Sequence, residues 1–469
     1  MADLISQEAA HLLRRTGFGS ASQDIKSLSA KSRNKAVDQI VDYERIGNRE
    51  MEDRLTANFE FLRASSPDSL NDRIFNKEEI RAWWILRMLL TRRQIEEKMT
   101  LFWHNFFATS LDKVPLVHMY TQNLDLRRHA MGRFDDLLLN ISQGAAMLIW
   151  LDGINSTRTS PNENFGRELQ ELFSTGIRDA VTGEQNYTES DVKEVSRAFT
   201  GWRFRKSSNP SPFAYEWYLD ENEADHGQKT IFGQTANFTG QDVITLLADR
   251  RATARYLVVR LFEFFSYPLD TENAEDRATI DKFADVYFAN DHSIKELVRA
   301  IFKSEEFFSP RARFALIRNP VEFLIGSIRM LEATVGFGTP DARPTILENS
   351  LRAMGMDLFS PPDVFGWKLN LGFVTTDAML ERFNVADRMM YFLGGGRFIK
   401  SSAKKTVKKM LDAFGLLEID SAVEKKFQDY LAINSAGVPV GWNSPDINDI
   451  GKVKNLGRLI MCLPEYHLN

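Results

Sequence analysis

The sequence predicts a mainly α-helical protein, with one large multi-helix domain of orthogonal, bundle-like packing and a small irregular β-hairpin insertion. Apolar residues recur with helical period along most of the 469 residues. Residue types that cap helix starts, and glycines that can end a helix, mark several boundaries. A chain of this length can bury a large core, and 43% hydrophobic with 26% charged residues is the composition of a globular protein.

The first well-marked helix is predicted to follow Thr91 and to extend to about Ala108. Thr91 and Gln94 have the spacing of a capping box. Apolar side chains wrap nearly all sides of the helix, at Ile95, Met99, Leu101, Phe102, Trp103, Phe106 and Phe107. The helix is therefore predicted to be central and buried.

Two further helices have recognisable start and end signals. The second is predicted to begin at Ser160, with Pro161 in the first helical position, where the missing N–H is not needed. Gly176 is predicted to end it, because glycine tolerates left-handed backbone geometry. The third is predicted to open with a capping box at Thr188 and to close at Gly201.

The helical pattern stops between about residues 204 and 240. Aromatic-rich residues 213–218 and then residues 229–233 are flanked by turn-forming residues, which predicts a small hairpin or irregular insertion. Residues 336–344 and the proline-containing segment 360–367 are predicted to be loops. We expect one helical domain at residues 1–385 and a more charged helical appendage at residues 386–469.

Charge and cysteine content exclude several classes of function. Lys and Arg total 59 against 64 acidic residues, a net charge of -5, so nucleic acid is not expected as a main ligand. The single cysteine, Cys462, excludes an intramolecular disulfide and a cysteine-based metal cluster. The start shows no signal-peptide pattern, and no segment has the roughly 20 apolar residues of a membrane span, so a cytoplasmic protein is expected.

The predicted helix after Ser160 carries the first candidate site. Asn164, Glu168 and Glu171 lie at i, i+4 and i+7, so they share one edge of the helix beside an apolar stripe. A carboxylate at the border of a core is paired, hydrogen-bonded, metal-bound or protonated. Arg167 offers a salt-bridge partner, so a structural network is the alternative to a catalytic site.

A second candidate is His104, which lies seven residues after Glu97 on the same face of the predicted buried helix. An imidazole among aromatic side chains can serve as a base or a metal ligand. The structural alternative is a core histidine that is hydrogen-bonded to a carbonyl or carboxylate group. The helix lacks the Glu-x-x-His spacing of di-iron bundles, so a di-iron site is not predicted. An unidentified divalent metal stays a candidate cofactor.

A third candidate is the group of His11, Arg14 and Arg15, which share a helix face that Gly17 and Gly19 terminate. Two guanidinium groups can hold an anion. Docking of this first helix on acidic residues explains the same pattern. The two glycines do not form a phosphate loop, because no Walker lysine or preceding strand accompanies them.

Several blocks of the sequence together resemble a large bacterial family known as domain of unknown function 1800. The blocks lie in order at residues 9–19, 97–105, 162–173, 187–191, 200–202, 233–238 and 361–367. They span residues 9 to about 385 and leave the C-terminal tail outside. The resemblance implies a helical fold, export in many relatives and a sulfatase-like partner family encoded nearby, but no reaction. The family usually has a second histidine after Trp103-His104-Asn105, and here that position is Phe106.

Two hypotheses for the function follow. In the first, the chain is an enzyme, most simply a hydrolytic one, in which Glu168, Glu171 and His104 meet in a polar pocket as bases or metal ligands. The predicted binding residues are His11, Arg14, Arg15, Asn164 and Arg167. In the second, the chain is a non-enzymatic binding or scaffold protein, and its aromatic insertion at residues 204–240 supplies a surface for a partner protein.

Overall fold

The chain folds mainly into helices, as its sequence predicts. The computed structural model describes residues 4–19, 21–66, 69–209, 211–332, 345–393, 395–433, 437–439 and 450–469. The residues in these ranges form 22 α-helices and two antiparallel two-stranded sheets. Within the same ranges, no helix has the length and apolar character that crossing a membrane requires.

The helices before the insertion are α1 (Ser6–Thr16), α2 (Ser22–Ser29), α3 (Arg33–Val41), α4 (Arg49–Asn58), α5 (Lys77–Leu90), α6 (Gln94–Phe106), α7 (Leu116–Arg128), α8 (Phe134–Gln143), α9 (Ala145–Trp150), α10 (Glu163–Glu171) and α11 (Glu189–Ala198). The insertion contains the strands β1 (Trp202–Lys206), β2 (Tyr215–Leu219), β3 (Lys229–Ile231) and β4 (Gln234–Ala236). The helices after it are α12 (Gly240–Ala248), α13 (Arg251–Phe265), α14 (Ala274–Ala289), α15 (Ile294–Lys303), α16 (Glu305–Phe308), α17 (Pro320–Met330), α18 (Thr345–Ala353), α19 (Thr376–Leu393), α20 (Ala403–Ala413), α21 (Ser421–Leu431) and α22 (Ile450–Met461).

Helix α6 lies between two hydrophobic cores and is buried on every side, as its apolar pattern predicts. Phe102, Trp103 and Phe106 pack in the first core with α8 and with α12 to α15. Leu101 packs in the second core with α5, α17 and the C-terminal helices. A helix with apolar residues on all sides is stable only when other elements pack around its whole circumference.

The carboxylate of Glu97 in α6 has no exposed surface and joins three helices. Arg87 of α5 donates to one of its oxygens at 2.5 Å, and Arg127 of α7 donates to both, at 2.6 and 3.0 Å. Trp84 donates its indole N–H to the second oxygen at 3.1 Å. Burial alone would raise the pKa of Glu97, but Arg127 and Arg87 outweigh burial and lower this pKa to about 2.

The predicted start and end of α10 were wrong. The helix begins at Glu163, because the side chain of Asn162, and not that of Ser160, accepts the first free N–H groups. Ser160 instead lies in a tight turn just before the helix. The helix ends at Glu171, before Gly176. The capping box predicted at the start of α11 is confirmed, with Thr188 as the N-cap.

The capping box predicted for α6 was also wrong. The Thr91 hydroxyl accepts the N–H of Arg93, which is the N-cap residue. The Gln94 side chain does not reach back to the cap but accepts the Phe18 N–H at 2.9 Å. The Gln94 side chain, which the local pattern assigned to capping, therefore bonds to a residue 76 positions away in the chain.

The insertion consists of two hairpins, which confirms the predicted change from helix to strand. β1 pairs with β2, and β3 pairs with β4, both antiparallel. In the turn between β1 and β2, the Phe213 ring lies 4.8 Å from that of Tyr120 in α7. Thr121 of the same helix donates to the Phe213 carbonyl group at 3.5 Å. These contacts hold the first hairpin against α7.

The loop predicted at residues 360–367 is confirmed, and it docks on the end of α6. Asn105 accepts the Trp367 N–H at 2.6 Å. Gly366 has a φ of 80°, and a Cβ atom there would lie 2.3 Å from Asn105 Oδ1, so a larger residue does not fit. The loop predicted at residues 336–344 lies outside the described residues.

The helices on both sides of residue 385 share the second core. Val385, Met389 and Met390 of α19 pack there with α5, α17 and α22. Residue 385 itself lies within α19. The division into a domain at residues 1–385 and an appendage at residues 386–469 stays a prediction.

Replacing Glu97 with Gln is expected to lower the free energy of unfolding by about 3–5 kcal/mol, because the buried guanidinium group of Arg127 loses its counter-charge and Arg87 keeps only its pair with the more exposed Glu52. Urea unfolding followed by circular dichroism measures this loss. The control is Glu189→Gln, which removes the partner of Arg167 at the surface and should leave the free energy of unfolding nearly unchanged. Equal losses in the two variants would contradict the role of Glu97.

Candidate functional site

The predicted site on α10 is a pair of carboxylates near the surface. Glu168 is half-buried, and its pKa is raised, first by burial and then by the neighbouring charge of Glu171. Glu171 accepts a hydrogen bond from the Tyr187 hydroxyl group at 3.1 Å. Asn164, at the start of the same edge, is exposed to solvent. The structure therefore brings Glu168 and Glu171 together, as their spacing predicts.

Arg167 pairs with a different carboxylate from the one that we expected. Its two terminal nitrogens donate to the two oxygens of Glu189 at 2.7 Å each, a bidentate pair that joins α10 to α11. Gly166 explains the close approach of these helices, because a Cβ atom there would lie 2.2 Å from the Ser196 hydroxyl oxygen. The role of Arg167 in this pair is structural.

His104 lies in an aromatic enclosure. Its ring centroid lies 5.2 Å from that of Trp84, 5.5 Å from Phe359 and 5.4 Å from Trp367. Burial lowers its pKa to about 3, so the imidazole is neutral at pH 7. Among the described residues, neither ring nitrogen has a hydrogen-bond partner, and no ring contact joins His104 to α10. These contacts therefore do not bring His104 to Glu168, and their meeting in one pocket stays a prediction.

His11, Arg14 and Arg15 are all buried where α1 meets later parts of the chain. His11 Nε2 lies 2.9 Å from the Phe307 carbonyl oxygen. Arg14 donates to the Gly415 carbonyl group at 3.3 Å, and Arg15 donates to that of Ala312 at 2.5 Å. The structure therefore places these residues together, and the hydrogen-bond acceptors that they reach are neutral carbonyl groups.

A metal site does not emerge from these residues. Across the ranges that the structure describes, no three His, Cys, Asp or Glu side chains are grouped so that they could hold a metal ion. Asp225, beside His226 in the insertion, pairs with Arg197 at 2.7 Å and accepts the Gly227 N–H at 2.8 Å. These bonds anchor the insertion to α11, so Asp225 is occupied by structural partners.

A polar cavity of about 160 Å³ lies between α7, the facing ends of α8 and α9, and the first hairpin. Its polar and aromatic lining residues are His118, Thr121, Gln122, Asp125, Asn140, Gln143, Phe204, Tyr215, Glu216 and Trp217. It has room for several water molecules or for one compact ligand. None of these residues was among the catalytic or binding residues predicted from the sequence, although four of them belong to the aromatic insertion that we predicted as a partner surface.

The hairpin supplies the aromatic wall of this cavity. Phe204 lies directly opposite Trp217 in the strand register, and Tyr215 lies two residues from Trp217, so the three rings share one face of the sheet. The His118 ring meets two of them, at 5.0 Å from Phe204 and 4.5 Å from Tyr215. Burial lowers the pKa of His118 to about 4.

Helices α7 and α8 supply the polar wall. His118, Gln122 and Asp125 lie at i, i+4 and i+7 on one face of α7. Burial raises the pKa of Asp125, although Arg128 donates to its carboxylate at 2.8 Å and acts in the opposite direction. Asn140 projects from α8. This wall therefore combines amide, carboxyl and neutral imidazole groups.

Four of the lining residues carry a buried polar atom that has no hydrogen-bond partner among the described residues. These atoms are His118 Nδ1, Gln122 Nε2, Asn140 Oδ1 and Trp217 Nε1. Buried polar groups in native proteins are nearly all hydrogen-bonded, to protein, water or ligand. All four residues line the same cavity.

A second cavity, of about 240 Å³, lies between α2, α5 and α17 and is more apolar. Leu86, Leu90 and Ile328 contribute to its wall. Its buried cation, Arg329, already donates to the carbonyl groups of Met88 and Leu89. We place the candidate site in the smaller cavity, because only there do several lining residues carry unpartnered polar atoms in the described parts of the chain.

The fold and cavity define a class of protein: a mainly α-helical chain with two cores and a polar pocket closed by a β-hairpin. Sequence comparison then places the chain in the family described as "Protein of unknown function (DUF1800)", to which it belongs, because residues 11–468 match that family. The predicted end of the resemblance near residue 385 was wrong, since the match includes the C-terminal helices. Comparisons with curated proteins and with solved structures give no match.

The His118 imidazole is expected to titrate with a pKa of about 4 in the wild-type protein. Replacing Tyr215 with Ala opens its aromatic enclosure and should raise this pKa toward the ordinary value of 6.5. Nuclear magnetic resonance titration of the ring protons measures both values. The control is Tyr391→Ala in α19, where the ring is exposed. A His118 pKa that is unchanged in Tyr215→Ala would show that the hairpin does not enclose this ring.

Proposed function

We propose that the chain binds a small, neutral, polyhydroxylated molecule, with the chemistry of a sugar, in the cavity between α7, α8 and the first hairpin. The observation that carries this proposal is the set of four unpartnered buried polar atoms beside an aromatic wall. Ligand sites characteristically combine apolar or aromatic walls with a few placed polar groups.

The four unpartnered atoms favour a ligand with hydroxyl groups. Gln122 Nε2 and Trp217 Nε1 are donors and need acceptors, whereas Asn140 Oδ1 is an acceptor and needs a donor. His118 Nδ1 can take either role, depending on its tautomer. A hydroxyl group both donates and accepts. Adjacent hydroxyl groups on one molecule can therefore satisfy this mixed set, which a purely anionic ligand, with acceptors alone, cannot do.

The aromatic wall fits the remaining surface of such a ligand. A sugar ring has an apolar C–H face as well as its hydroxyl edge. Phe204, Tyr215 and Trp217 offer apolar faces on one side of the cavity, opposite the polar groups of α7 and α8. Tyr and Trp side chains suit ligands that are apolar on one side and polar on the other.

The charges around the cavity favour a neutral ligand. Asp125 pairs with Arg128 at 2.8 Å, and Glu216 pairs with Arg205 at 2.8 Å, so both carboxylates in the lining already have counter-charges. His118 is neutral at pH 7 because of its lowered pKa. A charged ligand would lose its hydration without gaining an opposite charge in the lining.

The enzyme hypothesis continues as a second proposal at this cavity. Its support is the raised pKa of Asp125 beside the lowered pKa of His118, because opposite shifts at one site are typical of an acid and a base. Asp125 would then donate a proton to the leaving-group oxygen of a bound glycoside, while the His118 imidazole takes a proton from the water that forms the new bond to the sugar carbon. No observed contact of Glu168 or His104 supports a role in a reaction, so the catalytic roles of both residues stay predictions.

Binding can be tested by isothermal titration calorimetry with a panel of neutral mono- and disaccharides. Gln122→Leu removes the free Nε2 donor together with the oxygen that accepts the Thr109 hydroxyl group, and Trp217→Phe removes the indole N–H and leaves a smaller ring. Each variant is expected to weaken binding about 2- to 10-fold, which corresponds to roughly 0.5–1.5 kcal/mol for one hydrogen bond.

The matched control is Gln428→Leu, which makes the same replacement on α21, away from the cavity, and should leave affinity unchanged. Absence of heat with every sugar, or equal affinities in all variants, would sink the binding proposal. Chromatography of the sugars after incubation decides between binding and catalysis. Hydrolysis that is lost in Asp125→Asn would favour the enzyme proposal, and unchanged sugars would favour binding alone.

A further inference from the structure

Five positively charged side chains lie together in the interior, at a place distinct from the proposed sugar site. They come from α1, α6, the segment before α17, and α19, and all are nearly inaccessible to solvent. They are Arg14, Arg15, Lys98, Arg318 and Arg382. None of them lines the cavity beside the hairpin. Arg382 donates to the Arg318 carbonyl group at 2.6 Å, and Asn469 links Arg318 to Glu322, the partner of Lys98. The charge of Arg318 also acts on Arg14 and Arg15.

The described residues supply too little negative charge for this cluster. Glu322 is the one carboxylate that bonds to a member of the cluster in the described ranges, through the ammonium group of Lys98. Glu418, whose charge also acts on Arg14, pairs with Arg313 at 3.1 Å. The cations of the cluster therefore outnumber the two carboxylates that act on them, Glu322 and Glu418.

The hydrogen bonding of the cluster is incomplete as well. Arg15 donates from one terminal nitrogen to Ala312, while its Nε and other terminal nitrogen have no partner among the described residues. Arg318 donates from Nε to Leu468 and Asn469 and lies beside the Tyr466 hydroxyl group, while its two terminal nitrogens form no well-aligned hydrogen bond to described residues. Buried guanidinium groups with free N–H donors are costly unless an acceptor meets them.

Arg14 and Arg15 keep their charge in spite of burial. Burial, with a smaller contribution from neighbouring cations, lowers the pKa values of Arg14 and Arg15 to about 9, which still leaves both protonated at pH 7. The nearby His467 responds to the same environment, since burial and then the charges of Arg382 and Arg318 lower its pKa to about 3. The surroundings are therefore strongly positive.

We propose that this cluster holds a small oxyanion, bound by the free N–H groups of Arg15 and Arg318. The guanidinium group matches the geometry of phosphate, sulfate and carboxylate oxygens and binds them through two parallel hydrogen bonds. One such anion supplies both the missing negative charge and the missing acceptors. It also links α1 to the start of α17, so its role is to stabilise the contact between the N-terminal helix and the second core.

The first experiment identifies the anion. The purified wild-type protein is exchanged into a buffer with chloride as its sole anion, unfolded in urea and filtered, and the filtrate is analysed by ion chromatography. We expect one oxyanion for each chain, and the chromatogram distinguishes phosphate, sulfate and small carboxylates. The same assay is applied to Arg318→Met, which should lose the anion, and to Arg167→Met, whose surface pair lies elsewhere and which should keep it.

A second measurement makes the test independent of whether Arg318→Met folds. Wild-type protein refolded from urea is measured with phosphate raised from micromolar to millimolar concentrations in a constant excess of sodium chloride, so that the general stabilising effect of phosphate as a salt stays small. Phosphate should raise the urea midpoint, and each tenfold rise in phosphate above the dissociation constant should add about 1.4 kcal/mol to the free energy of unfolding. An oxyanion-free filtrate together with a midpoint that does not depend on phosphate would overturn the proposal, as would full retention of the anion by folded Arg318→Met.

Discussion

The buried carboxylate of Glu97 is the interaction on which the arrangement of the central helices depends. It binds Arg87 of α5, Arg127 of α7 and the indole N–H of Trp84, and none of its surface reaches solvent. Two cations around one carboxylate form a favourable buried group only when all the hydrogen bonds are made together. This requirement fixes how α5 and α7 pack on α6, and α6 in turn separates the two cores.

The proposed sugar site depends on this packing, because one face of α7 bonds to Glu97 and another face lines the cavity. Asn123 and Arg127 bond to each other, and Arg127 continues to Glu97, while His118, Gln122 and Asp125 line the cavity. The family blocks around α6 and α10 acquire structural explanations. Trp103 donates to the Ala130 carbonyl group, and Asn105 holds the loop that follows α18. Arg167 joins α10 to α11. The sequence blocks that carry the family resemblance thus have structural roles, and residues outside these blocks form the cavity.

The sequence predicts those features that local periodicity determines. The buried α6, the capping box of Thr188 and the change to strands in the insertion are of this kind. Asn162 and Ser160 are both good capping residues, and local preference alone does not choose between them. The cavity was missed for a different reason. The spacing of His118, Gln122 and Asp125 is visible in the sequence, but their aromatic wall comes from a hairpin far along the chain.

The most direct test of this account is a crystal structure of the protein soaked with a neutral monosaccharide at high concentration. The account predicts one sugar between α7 and the hairpin, with its ring face against Tyr215 or Trp217. Its hydroxyl groups should lie within hydrogen-bond distance of Gln122 Nε2 and Asn140 Oδ1, the atoms that lack partners among the described residues. Ordered water alone in this cavity, or a sugar bound only elsewhere, would contradict it.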